Sequence, residues 1–393
     1  MENRTITDRL NALRQAMARE KIDFYMIPTA DFHNSEYVND YFKVREFFCG
    51  FTGSNGTLVV WKEGAGLWTD GRYFIQAENE LTGTGVTLFR MLQEGVPTIE
   101  EFLQKEMKDG ETLGFDGRVI SAAEGKRYEK ALAGKNIVFS YDKDLTESIW
   151  TDRPAFPAGQ VSVLPGDIVG KTVGEKLAEV RQELTKKGAE SLLLTKLDDI
   201  MWLFNIRGCD VECNPVAMSY AYITQDGAVL FIRKEALSGE VLSYLGKTGT
   251  EVKEYGEITD FVRALPGNGK NLLDERYVGY NFYKILQEKQ AVTEGKNPTE
   301  LLKAVKNATE LANMEKVYLQ DSVAVTKFIY WLKTHVGREE ITEVTAADYL
   351  EGLRRQIPGF FDLSFPTIAG YKANAAMTVS YTHLRAHETC ADL

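Results

Sequence analysis

The chain has 393 residues, 44% of them hydrophobic and 26% charged, the makeup of a protein with two or three well-cored domains. Its net charge of -11 and pI near 5.2 argue against nucleic acid or an anionic membrane as the main partner, because both select basic patches. No apolar run is long enough to cross a bilayer.

Taken in chain order, the first element is an amphipathic helix in MENRTITDRLNALRQAMAREK, whose mixed charge does not fit a secretory signal. Leu10 to Ile27 then aligns without a gap on Leu177 to Leu194. Leu10 meets Leu177, Leu13 meets Val180, Arg14-Gln15 meets Arg181-Gln182, and Met17 meets Leu184. Both stretches carry apolar residues at helical spacing, then a polar break, then a short apolar run, so each predicts a helix leading into a buried strand. The likeness extends from FFCGFTG (Phe47 to Gly53) to WLFNIRG (Trp202 to Gly208). It extends again from Thr57–Tyr73 to Tyr220–Lys234, where both copies read strand, turn at Gly64 or Gly227, strand. A period of about 165 residues means a duplicated domain, not a solenoid of short units.

Ile149 to Gly159, with prolines and a glycine, predicts a linker between the copies, and the second copy fades near Thr293–Glu300. Beyond it the character changes. Asn297-Pro298-Thr299 predicts the start of a long helix that ends before Gly337, and a further helix is expected over Ala346–Gln356, entered through Thr345. FDLSFPTIAGY then alternates like a strand. The expected fold class is α/β: two duplicated domains, each a mixed sheet with flanking helices, over residues 1–155 and 156–300. An incomplete α+β domain is expected over 301–377, followed by a distinct tail over 378–393.

Few motifs carry chemistry. GFTGSNG (Gly50 to Gly56) is glycine-rich, but TLVVW follows it and no helix, so a loop is expected and not a phosphate site. Four cysteines (Cys49, Cys209, Cys213, Cys390) are too few and too uneven for a disulfide framework, which fits a reducing, cytoplasmic setting. Cys209 and Cys213 lack a second pair for a zinc site and are expected as buried or half-buried thiols. Asp198, Asp199, Asp210 and Glu212 read as caps, turns and loop contacts. His33 and His335 have no nucleophile or ligand partner in sequence, and His335 suits a helix end. From the residues alone Arg72, in WTDGRY, reads as an ion pair with Asp70 or another carboxylate.

Four stretches, WTDGRYFIQAE, IWTDRP, LDDIMWLFNIRGCDVECNPVAMSY and FDLSFPTIAGYKANAAM, together resemble the cytosolic three-domain form of the aminopeptidase P family, the Xaa-Pro aminopeptidases. The resemblance runs from about residue 5 to Met377. It implies two creatinase-N-like domains followed by a pita-bread metallopeptidase domain. It also implies removal of an N-terminal residue when proline is second, with two Mn²⁺ ions, a homodimeric assembly and a cytoplasmic location. A bond to proline lacks an N–H, and two bridged metals answer that by holding a hydroxide and polarising the carbonyl together. The family's ligands are two Asp, one His and two Glu, none of which is matched before Met377, so the chain as given is expected to be inactive, with no catalytic or metal-binding residue assigned. The resemblance makes Arg72 a substrate contact, with Asp70 and Gly71 as turn residues that aim it. A non-catalytic binding protein of the same fold and a creatinase-like amidinohydrolase are the alternatives. The duplicated N-terminal domain favours the peptidase.

The family pattern N-A-A-M-M-H breaks one residue after Met377, where Thr378 and Val379 follow. VSYTHLRAHET resembles the translation of a transposase-type sequencing-library adapter, and Thr378 to Leu393 are all compatible with one. On that reading the zinc-like spacing of His383, His387 and Cys390 is not a metal site. Resequencing the source gene through codon 377 is expected to give Met-His and then a domain with Asp, Asp, His, Glu and Glu in order. A gene that encodes TVSYTHLRAHETCADL would point to a binding function instead.

Overall fold

The computed structural model describes residues 5–372, so the tail lies outside the described residues. Residues 5–165 and 171–305 form one compact unit, and residues 166–170 with 306–372 a second.

The first unit is built from one plan used twice. Helix α1 (Ile6–Glu20) starts at a capping box in which Thr5 and Asp8 satisfy each other's backbone N–H, and it buries Leu10, Leu13, Ala16 and Met17. It leads into β1 (Phe24–Pro28). Then come α2 (Val44–Cys49), β2 (Thr57–Trp61), β3 (Gly64–Thr69), α3 (Phe74–Leu81), β4 (Thr87–Arg90), α4 (Ile99–Glu106), β5 (Thr112–Phe115), α5 (Ala122–Leu132) and β6 (Val138–Ser140). The strands form one sheet in the order β4-β3-β2-β1-β5-β6. The central β1 is antiparallel to β2 and parallel to β5.

After the short α6 (Gly166–Val169), which belongs to the second unit, the plan repeats. The elements are α7 (Val173–Lys186), β7 (Ser191–Leu194), α8 (Leu197–Phe204), β8 (Ser219–Thr224), β9 (Ala228–Ile232), α9 (Gly239–Lys247), β10 (Thr250–Glu254), α10 (Ile258–Ala264), β11 (Asn271–Leu273), α11 (Tyr280–Glu288) and β12 (Val292–Glu294). The sheet order is β10-β9-β8-β7-β11-β12, with the same sense at every pairing. The sequence repeat is therefore a repeat of topology, and the Leu10/Leu177, Leu13/Val180 and Met17/Leu184 matches are all core positions.

The copies meet along the segments that follow β5 and β11. Ser121 and Gly279 form an antiparallel bridge. Around it the N–H groups of Ala122, Tyr280 and Asn281 donate to the carbonyls of Val278, Ile120 and Gly117. Tyr280 of the second copy is buried in the first copy's core, and Phe32 and Phe42 of the first are buried in the second's. Gly125 is needed at this contact, because a Cβ there would stand 2.0 Å from the Tyr280 ring.

His33, wholly buried, crosses the same junction. Its Nδ1 lies 2.8 Å from the Thr195 carbonyl and so carries the proton, and Nε2 accepts from the Tyr255 hydroxyl at 2.9 Å. Sequence gave this histidine no partner, because both partners are more than 150 residues away.

The region beyond residue 297 departs from expectation in three places. Instead of one long helix there are two, α12 (Pro298–Ala304) and α13 (Ala308–His335), because Asn307 and Glu310 form a fresh capping box. The next helix, α14, is Glu343–Arg354 and not Ala346–Gln356: Thr342 is its N-cap, and Thr345 is the residue that completes the box. FDLSFPTIAGY is not a strand; it is irregular, and the described residues of this unit hold no strand for it to pair with. Within the second unit, Asn307 and Asn313 tie the start of α13 to the carbonyls of Val169 and Asp167. Of the apolar set on α13, Trp331 stacks on Tyr349 of α14, whereas Val317, Tyr318, Leu319 and Tyr330 are each more than half exposed.

Helix α12 is bound to the duplicated sheets. Thr299 Oγ1 donates to Asp199 Oδ2 at 2.7 Å, and Lys303 Nζ pairs with Asp199 Oδ1 at 2.6 Å and with Asp198. A chain ending at 305 is expected to be more soluble than the 393-residue chain, since it sheds the apolar α13 surface. A chain ending at 297 should be less stable than it by about 1–3 kcal/mol, because buried Asp199 loses the Thr299 hydrogen bond and the Lys303 ion pair and keeps only Lys196, at 3.9 Å. Urea unfolding compares the two, and equal midpoints would contradict the role given to Lys303.

Burial pushes the His33 pKa below the ordinary value near 6.5, against smaller opposing effects of Asp31 and the Thr195 carbonyl. The unfolded chain therefore binds the extra proton first. The contribution is complete above about pH 6.5 and is lost as pH falls below that, at no more than about 1.4 kcal/mol per pH unit. Urea unfolding at several pH values should show this slope, and H33Q should flatten it.

Candidate functional site

Arg72 stands at the end of β3, where Asp70-Gly71-Arg72-Tyr73 turn the chain into α3. The Tyr73 N–H closes the turn on the Asp70 carbonyl at 3.0 Å. The Asp70 carboxylate accepts from the Arg72 backbone N–H (3.1 Å), from Nε (2.8 Å) and from Nη2 (2.9 Å). A short acidic side chain closing on the residue two ahead is the local reason for the turn. The ion pair read from the sequence is formed, and it engages one edge of the guanidinium. Nη1 lies outside it, and the Arg72 side chain is 45% exposed. Arg72 also packs over the Tyr73 ring at 5.2 Å.

The Arg72 bonds, with a further one from Asn55, hold the Asp70 pKa down to about 2, and the carboxylate in turn raises that of Arg72. The pair is ionised throughout the physiological range.

The glycine-rich stretch is a loop between α2 and β2, as expected, and it packs against this turn. Asn55 Nδ2 donates to Asp70 Oδ2 at 2.7 Å, and Thr69 Oγ1 donates to the Asn55 carbonyl at 2.6 Å. The Ser54 and Tyr73 hydroxyls are 2.6 Å apart. Gly53 has no room for a side chain, since a Cβ would stand 2.2 Å from the Phe51 ring and 2.8 Å from that of Tyr73. Beneath the loop lies Arg45, 4% exposed. It donates to Thr29 Oγ1 (2.8 Å), the Phe51 carbonyl (2.7 Å) and the Gly53 carbonyl, and it stacks on Phe51. Burial lowers its pKa. Sequence reasoning passed over Arg45 and Asn55; each acts through partners outside its own element.

The other candidates are structural. Asp210 accepts from the N–H groups of Gly159 and Met218, both at 2.7 Å, and Glu212 is exposed. Cys49 is buried and Cys213 half-buried, but Cys209 is exposed, against expectation, on the loop after the short strand Ile206–Arg207. His335 closes α13 with Nδ1 2.8 Å from the Trp331 carbonyl. Among the described residues no three His, Cys, Asp or Glu side chains stand together as a metal site, so no metal-dependent step is assigned to them. No described helix is long and apolar enough to cross a membrane. His383, His387 and Cys390 lie outside the described residues.

Two models of the Creatinase/Prolidase N-terminal domain match the chain, one over residues 9–147 and one over 152–310, one for each copy of the sheet. The chain is 36% identical over 389 residues to a probable Xaa-Pro aminopeptidase P of Botryotinia fuckeliana, covering 96% of this chain. It is 37% identical over 388 residues to that of Fusarium vanettenii, covering 94%.

The chain carries two Creatinase/Prolidase N-terminal domains and is similar to aminopeptidase P proteins over most of its length.

Its fold matches the crystal structure of X-prolyl aminopeptidase from Caenorhabditis elegans, described as a cytosolic enzyme with a di-nuclear active site. The TM-score is 0.86 at 30% identity, over 93% of this chain and 62% of that one. The chain spans 59% and 62% of the lengths of the two fungal proteins.

Proposed function

We propose that the chain is part of a cytoplasmic, homodimeric Xaa-Pro aminopeptidase that removes the first residue from peptides with proline second and uses two Mn²⁺ ions. The carrying observation is the 36% identity to Xaa-Pro aminopeptidase P relatives over 96% of the chain, supported by the fold match to an enzyme with a di-nuclear active site. In this reading the duplicated sheets carry no chemistry. They hold Arg72 out on a pinned turn, as a substrate contact. A planar fork with one edge bound to Asp70 keeps a fixed direction and presents its remaining N–H groups to a peptide carbonyl or carboxylate.

The full-length protein, loaded with Mn²⁺, is expected to hydrolyse Xaa-Pro peptides and to leave Xaa-Ala analogues largely uncut. Lack of Xaa-Pro hydrolysis would overturn the assignment. R72A should raise KM about tenfold or more with a smaller change in kcat, as loss of a binding contact does. R72K should recover little, because an ammonium cannot keep the two-point bond to Asp70 and still face the substrate.

A further inference from the structure

The unit holds three Asp-x-Arg turns, each at the end of a strand: Asp70-Arg72 after β3, Asp116-Arg118 after β5 and Asp274-Arg276 after β11. In all three the aspartate accepts from the backbone N–H and from Nε and Nη2 of the arginine two residues on. In two of them a second carboxylate also holds the arginine. Asp144 stands 3.8 Å from Arg118 Nη2, and Glu300 stands 2.6 Å from Arg276 Nη2. Arg72 differs. Among the described residues Asp70 is the carboxylate that pairs with it, and the added restraint falls on the aspartate, through Asn55 Nδ2 at 2.7 Å.

From this difference, and resting on the reading of Arg72 as a substrate contact, we propose that Asn55 is a positioning residue for Arg72. Asn55 is itself fixed. Thr69 Oγ1 donates to its carbonyl, and the neighbouring Gly53 carbonyl is held by the buried Arg45. The chain of contacts runs from Arg45 through the loop to Asn55, then to Asp70 and Arg72. It restrains the arginine through Asp70, and among the described residues no second carboxylate stands within ion-pair distance of it, Glu36 acting on it only at longer range. A second carboxylate, as at Arg118 and Arg276, would compete with a bound peptide for the same N–H groups. An amide that grips Asp70 restrains the arginine without that competition.

The test is a double-mutant cycle in the full-length protein, with kcat and KM measured for N55A, R72A and the pair, and thermal midpoints as a check on folding. N55A is expected to raise KM about threefold to tenfold and to change kcat by less than about twofold, the size of losing one charge-assisted hydrogen bond at one remove. In the R72A background N55A should add nothing. N55D, which keeps the volume but loses the donor and places a like charge beside Asp70, should match or exceed N55A. It is the variant read if N55A lowers the thermal midpoint. If R72A itself leaves KM unchanged, Arg72 is not a substrate contact and the underlying reading fails. If R72A raises KM while N55A and N55D are silent, or multiply independently with R72A, the positioning role fails and the contact stands.

Discussion

The arrangement of the first unit depends on a short antiparallel seam. Residues 116–123 of one copy run against 274–281 of the other, bridged at Ser121 and Gly279. The seam is made largely of backbone bonds, so it sets the register of one sheet against the other with little demand on side-chain identity. Side chains then lock it. Tyr280 lies on Gly125 and donates to Glu129 at 2.6 Å. Lys126 of the first copy bonds Glu275 and Glu294 of the second, and Lys284 of the second pairs with Glu129 of the first. These exchanges run both ways across the seam, as two similar surfaces meeting face to face require.

The duplicated copies share solutions to the same local problems. A helix end leaves carbonyls without donors. In the first copy Arg9 donates to the Phe47 carbonyl at the end of α2 and packs over its ring; at the aligned position Lys176 donates to the Trp202 carbonyl at the end of α8 and packs over its ring. Lys135 reaches the carbonyls that end α4, and Lys289 those that end α10. Arg14 and Arg181 hold carbonyls at their hairpins, at Trp61 and at Thr224 with Gly227. The Arg14/Arg181 match in the sequence thus has a physical cause: each strand pair needs a cation from the first helix to bind its turn.

Where the copies diverge is where the candidate site lies. After β3 the chain turns through Asp70 and Arg72, with the carboxylate first; after β9 the order is reversed, and Arg233 pairs with Glu235 two residues on and with Glu254 at 3.6 Å as the chain enters a short helical turn. The first copy also buries Arg45 against the Thr29 hydroxyl and two carbonyls, with no carboxylate within ion-pair distance among the described residues. A cation kept on neutral acceptors is costly unless it organises something, and here it organises the loop that meets Asp70.

The sequence by itself determined what short-range physics encodes. The helical period and the strand runs marked the repeat, the turn residues marked the loop at Gly50–Gly56, and the motif around Arg72 carried the family. Even the capping boxes at Asn307 and Thr342 were written locally, as Asn or Thr followed three residues later by Glu or Thr, though the apolar period drew attention past them. Only the tertiary structure decided the rest. The burial of His33 between Thr195 and Tyr255, the grip of Lys303 on Asp199, the placing of Arg45 under its loop and the bond from Asn55 to Asp70 each join separate elements. Local preference can say that such side chains are polar, but which acceptor each meets is fixed only when packing brings distant backbone together and removes water from the contact.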